Sequence, residues 1–335
     1  MKYLSLFSGI GGFELGIGKK GTCVGYSEID KHAIEVYQHH FPNHKNYGDI
    51  TKIFEEELPD FDFLVGGFPC QSFSIAGKRR GFGDTRGTLF FDIVRILKAK
   101  RPRLFLLENV KGLVSHDGGN TLHTIVTALD GLGYDVQWKV LNSKNYGVPQ
   151  NRERIFFVGH LRGTPRPEVF PFGECCKEAH EPRQQYLRAD IVDEESLKIK
   201  QLNDPNHSSG RIFDTEGISP TLTTREQPKI RVTEATKLGY AIAEVGDSIN
   251  LSLPDSKTRR GRVGHGMGQT LDTAMMQDTL TKNSKIRRLT PLECERLQGF
   301  PDNWTDSVSD NQRYKQCSNA VTVNVVKDII ARLLP

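Results

Sequence analysis

The chain has 335 residues, 37% hydrophobic and 26% charged, which is the balance of a soluble globular protein with length for one large domain or two modest ones. No apolar run approaches the roughly 20 residues needed to span a bilayer. The net charge of +4 is too small to argue nucleic-acid binding by itself.

The first residues carry one basic side chain and a short apolar stretch, without the longer apolar core and cleavage site of a signal peptide. Residues 3–7 are therefore expected to form a buried strand, and the protein to be cytoplasmic. Further strands are predicted at 22–27, 61–65, 104–108, 136–142 and 154–159, with amphipathic segments at 32–40 and 89–98. In the latter, Leu89, Phe90, Ile93, Ile96 and Leu97 recur at helical spacing. Alternation of strand and helix over residues 1–160 predicts an α/β fold with a parallel sheet. Residues 161–286 are rich in Gly, Pro, Thr, Ser and charge, and predict a second, loop-rich domain. They contain an internal echo: Gly210-Arg211-Ile212 with Pro220-Thr221-Leu222, then Gly261-Arg262-Val263 with Gln269-Thr270-Leu271. Two similar strand-turn units account for it, as does chance. Patterning returns at Leu289. Pro291 suits the first turn of a helix behind Thr290 as cap, ending near Gly299. Over 321–334, Val325, Val326, Ile329, Ile330 and Leu333 share one face, predicting a helix that packs back onto the first domain.

The six cysteines, Cys23, Cys70, Cys175, Cys176, Cys294 and Cys317, form no CxxC pair, and no histidine cluster has metal-ligand spacing. Neither a metal site nor a disulfide framework is expected, which fits a reducing compartment. Basic clusters at 78–80, 259–262 and 285–288 suit phosphates, or are solvated loops.

Several segments carry chemistry. Residues 7–13 end a strand and open a helix, and glycines there let backbone approach a ligand. The spacing is not the GxGxxG of a dinucleotide-binding dehydrogenase. Glu28 ends the second strand, where a carboxylate can hold ribose hydroxyls. Asp49 can accept a bond from an adenine amino group, or serve as a turn aspartate. Cys70 follows a proline-constrained turn beyond the end of an apolar strand, where a thiolate nucleophile becomes plausible. Glu108 closes another strand and can face the same crevice. Alternation sends Arg152 and Arg154 to one side.

Taken together, these segments resemble the cytosine-5 DNA methyltransferase family of bacterial and phage type. The matching blocks are FSGIGG at 7–12, GDI at 48–50, GGFPCQSFS at 66–74, RGTLFFDI at 86–93, ENV at 108–110, QNRERIFFVG at 150–159, RRLTPLECERLQGFPD at 287–302 and SNAVTVNVV at 318–326. The resemblance covers most of the chain outside 161–286. It implies a Rossmann-like S-adenosylmethionine-dependent methyltransferase sheet with a smaller target-recognition domain. Residues 1–160 would be the catalytic domain, 161–286 the recognition domain, and 287–335 a segment completing the first.

The resemblance also implies roles. Cys70 adds to carbon 6 of cytosine, Glu108 hydrogen-bonds ring nitrogen 3, Arg154 binds the cytosine carbonyl, and Arg152 supports the loop or Glu108. Phe7, Gly9, Gly11, Gly12, Glu28, Ile29, Asp49, Ile50, Gly67, Pro69, Leu89 and Asn319 would surround the cofactor. Ile29 stands where many relatives have tryptophan, and Ser318 where the block usually has glycine. The implied partner is double-stranded DNA bound by a monomer, with the target base flipped out. Ala76, Lys78, Arg79 and Arg80 would meet DNA in the loop after the nucleophile, although some relatives carry serine at the position of Ala76. Arg211, Thr221 and Leu222 would meet it in the recognition domain, with Arg211 on guanine or in an internal salt bridge. An RNA cytosine-5 methyltransferase and an inactive DNA-binding relative are the alternatives. The long 161–286 segment speaks against the first, and intact Cys70, Glu108, Arg152 and Arg154 against the second.

Overall fold

The computed structural model describes residues 1–69, 89–164, 167, 169–170, 200–201, 212–214, 229–251, 261–271, 277–281 and 286–334. In chain order, the first part contains β1 (Lys2–Leu6), α1 (Gly12–Ile17), β2 (Thr22–Ser27), α2 (Lys31–His40) and β3 (Phe63–Gly67). There follow α3 (Leu89–Lys100), β4 (Leu104–Val110), α4 (Asn120–Gly131), β5 (Tyr134–Asn142), β6 (Gln150–Asn151) and β7 (Glu153–Leu161). The main sheet has the order β2-β1-β3-β4-β7-β5. The predicted strands are all present, within about two residues at their ends, the usual uncertainty of strand boundaries.

One expectation needs correction. The sheet is mixed: β1, β2, β3 and β4 pair in parallel, whereas β7 is antiparallel to both β4 and β5. The cause lies in the connection. Where β5 ends and β7 begins, only a short 3₁₀ turn and β6 intervene. That span is too short for the helical crossover that a parallel neighbour requires, so the chain folds straight back.

The sheet is buried on both faces, which explains its continuous apolar strands. On one face, Leu4, Leu6, Leu64, Phe105 and Leu107 meet Phe90, Ile93, Ile96 and Leu97 of α3, together with Ile125 and Leu129 of α4. On the other, Tyr3, Phe63, Val65, Leu106 and Phe156 meet Phe13 and Ile17 of α1. The same face packs on Val325, Val326, Ile329, Ile330 and Leu333 of the last helix, as the sequence pattern required.

Small strands make up the second part: β8 (Lys200–Gln201), β9 (Ile212–Asp214), β10 (Lys229–Thr233), β11 (Tyr240–Ala243), β12 (Ser248–Asn250), β13 (Val263–Gly264), β14 (Gly268–Gln269), β15 (Gln277–Leu280) and β16 (Ile286–Arg288). They form two four-stranded sheets, β11-β10-β9-β8 and β13-β12-β15-β16, while β14 pairs with β6. Ile230, Val232, Ala243, Ile249, Leu280 and Ile286 make a separate small core. Beyond it lie α5 (Pro291–Leu297), α6 (Asp310–Asn319) and α7 (Val323–Leu333). At the start of α5, Thr290 and Glu293 cap each other reciprocally, and Arg287 donates two 2.8 Å bonds to Glu293. Among the described residues no helix is long and apolar enough to cross a membrane.

Candidate active site

The carboxyl ends of β1, β3 and β4 lie side by side, as their register pairs Leu6 with Gly66 and Gly67 with Glu108. A narrow cleft opens there, lined by Phe7, Ser8, Gly9, Gly67, Glu108 and Asn319 among others. With Gly12, which lines the same cleft, six sequence-predicted positions thus meet around one space.

The turn after β1 is conformationally costly. Phe7 has φ 51° and Gly9 φ 54°, both left-handed. For a non-glycine residue that region costs about 1–2 kcal/mol and is typical of functional turns. Trp304 steadies the turn by donating its indole N–H to Ile10 O at 2.8 Å. His40 stacks on Trp304 with ring centroids 3.5 Å apart and donates Nε2 to its carbonyl at 2.7 Å. Glu28 ties the second strand to the turn: its Oε2 accepts from Gly9 N at 2.9 Å, and its Oε1 accepts from Ile29 N and Asp30 N. Three bonds leave the carboxylate with acceptor capacity. Next to it, Ile29 is 71% exposed. Ser8 lines the cleft, and its buried Oγ has no hydrogen-bond partner among the described residues.

Other predicted residues take different places. Gly11 caps α1 with φ 89°. Asp49 caps a short turn, accepting from Thr51 N and Oγ1, and those bonds hold its carboxyl below the ordinary value. Ile50 is buried in the core, its side chain packed with that of α3 rather than lining the cleft. Leu89 and Phe7 pack against that same cluster from its edge. Pro69 is exposed at the end of β3. Asn319 is exposed at the end of α6. Ser318 has ordinary helical backbone and donates Oγ to Lys315 O at 2.7 Å, so no glycine conformation is needed there.

Glu108 and Arg154 form a pair at the bottom of the cleft, with Nε to Oε1 at 3.0 Å. A Cβ added to Gly67 would sit 3.2 Å from Glu108 Oε2, a tight contact that Glu108 would have to yield to by a few tenths of an ångström. Burial raises the pKa of Glu108, opposed first by Arg154 and then by Arg152. Arg154 also donates Nη1 to Glu153 O. Arg152 is 2% exposed and donates Nη2 to Ala320 O at 2.8 Å, tying this strand to the C-terminal segment. Burial and Arg154 both work against its charge, yet a guanidinium stays protonated in practice.

Sequence reasoning missed Asn109 and Trp304 as site residues. Buried Asn109 donates Nδ2 to Phe68 O at 2.9 Å, fixing the peptide that leads into Pro69. Its place inside the ENV block was the available signal. Trp304 had none beyond its nearness to the 287–302 block. Cys70, Ala76, Lys78, Arg79, Arg80, Arg211, Thr221 and Leu222 lie outside the described residues.

Beside Glu108 and Arg154 runs an open groove of about 490 Å³, walled by the end of β4 on one side and by the second part of the chain on the other. Lys111 and Glu153 pair at 2.7 Å on its wall. Among the described residues no group of His, Cys, Asp and Glu could hold a metal ion.

The model of the family described as C-5 cytosine-specific DNA methylase matches residues 1–334. Type II methyltransferase M.HhaI of Haemophilus parahaemolyticus is 34% identical over 349 residues, covering 98% of this chain and 93% of that relative. M.HpaII of Haemophilus parainfluenzae is 37% identical, covering 97% and 87%. The orphan methyltransferase M.SPRI of Bacillus phage SPR is 34% identical, covering 100% and 97%. Among solved structures, a DNMT2 variant from Spodoptera frugiperda superposes with a TM-score of 0.63 at 20% identity, covering 100% of this chain and 99% of that one. A putative DNA modification methyltransferase encoded within an E. coli prophage gives 0.60 at 19%, covering 99% and 98%. These two show the fold alone.

Proposed function

Since the chain belongs to the C-5 cytosine-specific DNA methylase family, and so methylates cytosine at carbon 5 in DNA, we propose that its methyl donor is S-adenosylmethionine and its nucleophile Cys70. The observation that carries this reading is the buried Glu108–Arg154 pair beside the end of β3. Residue 70 follows Pro69 directly in the sequence, two positions beyond Phe68, the residue that follows that strand.

Carbon 5 of cytosine is a poor nucleophile. Addition of the Cys70 thiolate to carbon 6 forms a sulfur–carbon bond and moves an electron pair toward carbon 5. S-adenosylmethionine, when bound, supplies the electrophilic methyl group. Glu108 keeps its proton more readily than an ordinary carboxyl, because burial raises its pKa. It can therefore share that proton with ring nitrogen 3 and favour the addition. Arg154 retains donor capacity for the cytosine carbonyl oxygen, and Arg152 braces the strand from below. A base, for which water suffices, then removes the carbon-5 proton, and the bond to Cys70 breaks.

The cleft residues fit the donor. Glu28 has acceptor capacity left for ribose hydroxyls, and the orphaned Ser8 hydroxyl faces the same space. Phe7 would meet the adenine, Asp49 its amino group, Gly9 and Gly11 the methionine end, and Asn319 its polar groups. Gly12, Ile29, Ile50, Gly67, Pro69 and Leu89 would complete the surroundings. We assign residues 1–160 and 287–335 to catalysis and 161–286 to target recognition, with a monomer acting on duplex DNA in the cytoplasm. Ala76, Lys78, Arg79 and Arg80 would face DNA from the loop after Cys70, and Arg211, Thr221 and Leu222 from the recognition domain. Bisulfite sequencing of DNA from cells expressing the protein tests the reading. Protected cytosines in one sequence context are expected, and their absence, or methylation of tRNA instead, overturns it.

A further inference from the structure

The groove beside Glu108 and Arg154 is closed on one side by Asn250, Gly261, Gln269 and Thr270. Gln269 stands apart from these neighbours. Gly261 offers no side chain, Asn250 is 5% exposed, and Thr270 Oγ1 already donates to Asn151 O at 2.9 Å. Gln269 lines the groove, and its carboxamide, with Nε2 lying beside Gly264, makes no hydrogen bond to any described residue.

Its backbone, by contrast, is held from both sides. β14 pairs with β6 in the register Gly268 to Gln150 and Gln269 to Asn151, directly before Arg152. Gly268 N donates to Pro149 O at 2.6 Å. Gln277, 4% exposed, accepts from Gln269 N through Oε1 at 3.1 Å and donates Nε2 to Thr270 O at 2.7 Å. A backbone held this firmly keeps a residue with an uncommitted carboxamide at the wall of a substrate groove, from where a rotamer change can present it to a base. The group has a donor and an acceptor in one plane, matching the donor–acceptor edge of a base in the major groove.

The internal echo involves the same position. Gln269-Thr270-Leu271 occupies the later repeat where Pro220-Thr221-Leu222 occupies the earlier one. In the later repeat, the position before Thr-Leu lies on the groove wall. We propose that Gln269 is a specificity-determining residue that contacts the edge of a base next to the target cytosine. This rests on the assignment of the groove to duplex DNA.

The test is methylation of a randomised duplex library by the full chain, with site preference read by bisulfite sequencing for wild type, Gln269→Ala and Gln269→Glu. Gln269→Ala should lower discrimination at one base pair flanking the target by about 5–150-fold, the range for one bidentate base contact, and leave the other positions unchanged. Gln269→Glu keeps the shape and loses the donor, so preference at that same pair should move toward cytosine, whose amino group a carboxylate accepts. An unchanged preference profile in Gln269→Glu, or a uniform loss across all sequences, overturns the proposal, and this holds even if Gln269→Ala folds poorly. Wild type that methylates no duplex would instead overturn the assignment of the groove to DNA, so the two failures are distinguishable.

Discussion

Replacing Arg154 with methionine should move the pH dependence of methyl transfer. The Arg154 and Glu108 side chains are 16% and 12% exposed and meet at 3.0 Å. At that separation an effective dielectric of about 20 gives roughly 5.5 kcal/mol of attraction as an upper bound. The measured effect of one adjacent opposite charge on a carboxyl is about 1–3 pK units, or roughly 1.4–4 kcal/mol. Burial outweighs this attraction and already keeps the pKa of Glu108 above its ordinary value. Arg154→Met removes the larger opposing influence while keeping an apolar stem, so the pKa should climb further. If the protonated carboxyl serves ring nitrogen 3, the rate holds at low pH and falls as pH rises through the folded pKa. That falling limb should therefore shift to higher pH, on top of a lower plateau. Single-turnover transfer to saturating duplex, measured across the neutral and alkaline range, reads it. In Glu108→Gln the limb should vanish and the rate drop at least about 100-fold. A limb that stays in place in Arg154→Met, or a wild-type rate in Glu108→Gln, would make the carboxyl structural.

The elements that carry this site were legible because each writes a local period. Phe90, Ile93, Ile96 and Leu97 mark α3 without reference to anything else, and the Thr290–Glu293 capping box marks the start of α5. The direction of β7 was not legible, because it depends on the length of the connection from β5 rather than on the strand's own residues. Nor was the partnership of Trp304 with Ile10 O, made across 294 positions, or of Asn109 with Phe68 O, made across 41. Hydrophobic periodicity records which face is buried. It says nothing about which backbone carbonyl a side chain will find. The same holds for Asp49: the residue type suits both a turn and a ligand, and only the structure shows that the two turn bonds from Thr51 fall on Oδ1.

Cys70→Ser should abolish turnover yet keep DNA and cofactor binding, and a duplex carrying 5-fluorocytosine should trap wild type alone, because fluorine cannot leave as a proton. A covalent adduct that persists in Cys70→Ser on denaturing gels would remove Cys70 as nucleophile. Trp304→Phe keeps the ring against His40 and deletes the bond to Ile10 O, so cofactor affinity measured by calorimetry should fall about 2–12-fold, the equivalent of a net 0.5–1.5 kcal/mol. Unchanged affinity would show that the turn holds itself. Glu14→Gln should flatten the pH dependence of stability. Glu14 is buried in α1 and accepts from Tyr37 Oη at 3.0 Å through Oε1, with the Ser5 side chain also close by. Burial raises its pKa above the unfolded value. The folded state therefore holds this proton more tightly than the unfolded chain does. Its contribution is fully present below the unfolded pKa and is lost as pH rises through the folded one. Glutamine is neutral at every pH and still offers an acceptor to Tyr37. Wild type should thus lose stability relative to Glu14→Gln with rising pH, by at most about 1.4 kcal/mol per pH unit within that window. Urea unfolding of both proteins on the acid and alkaline sides of neutrality reads the difference, and parallel curves would mean that Glu14 is charged in the folded protein with a partner supplied by water.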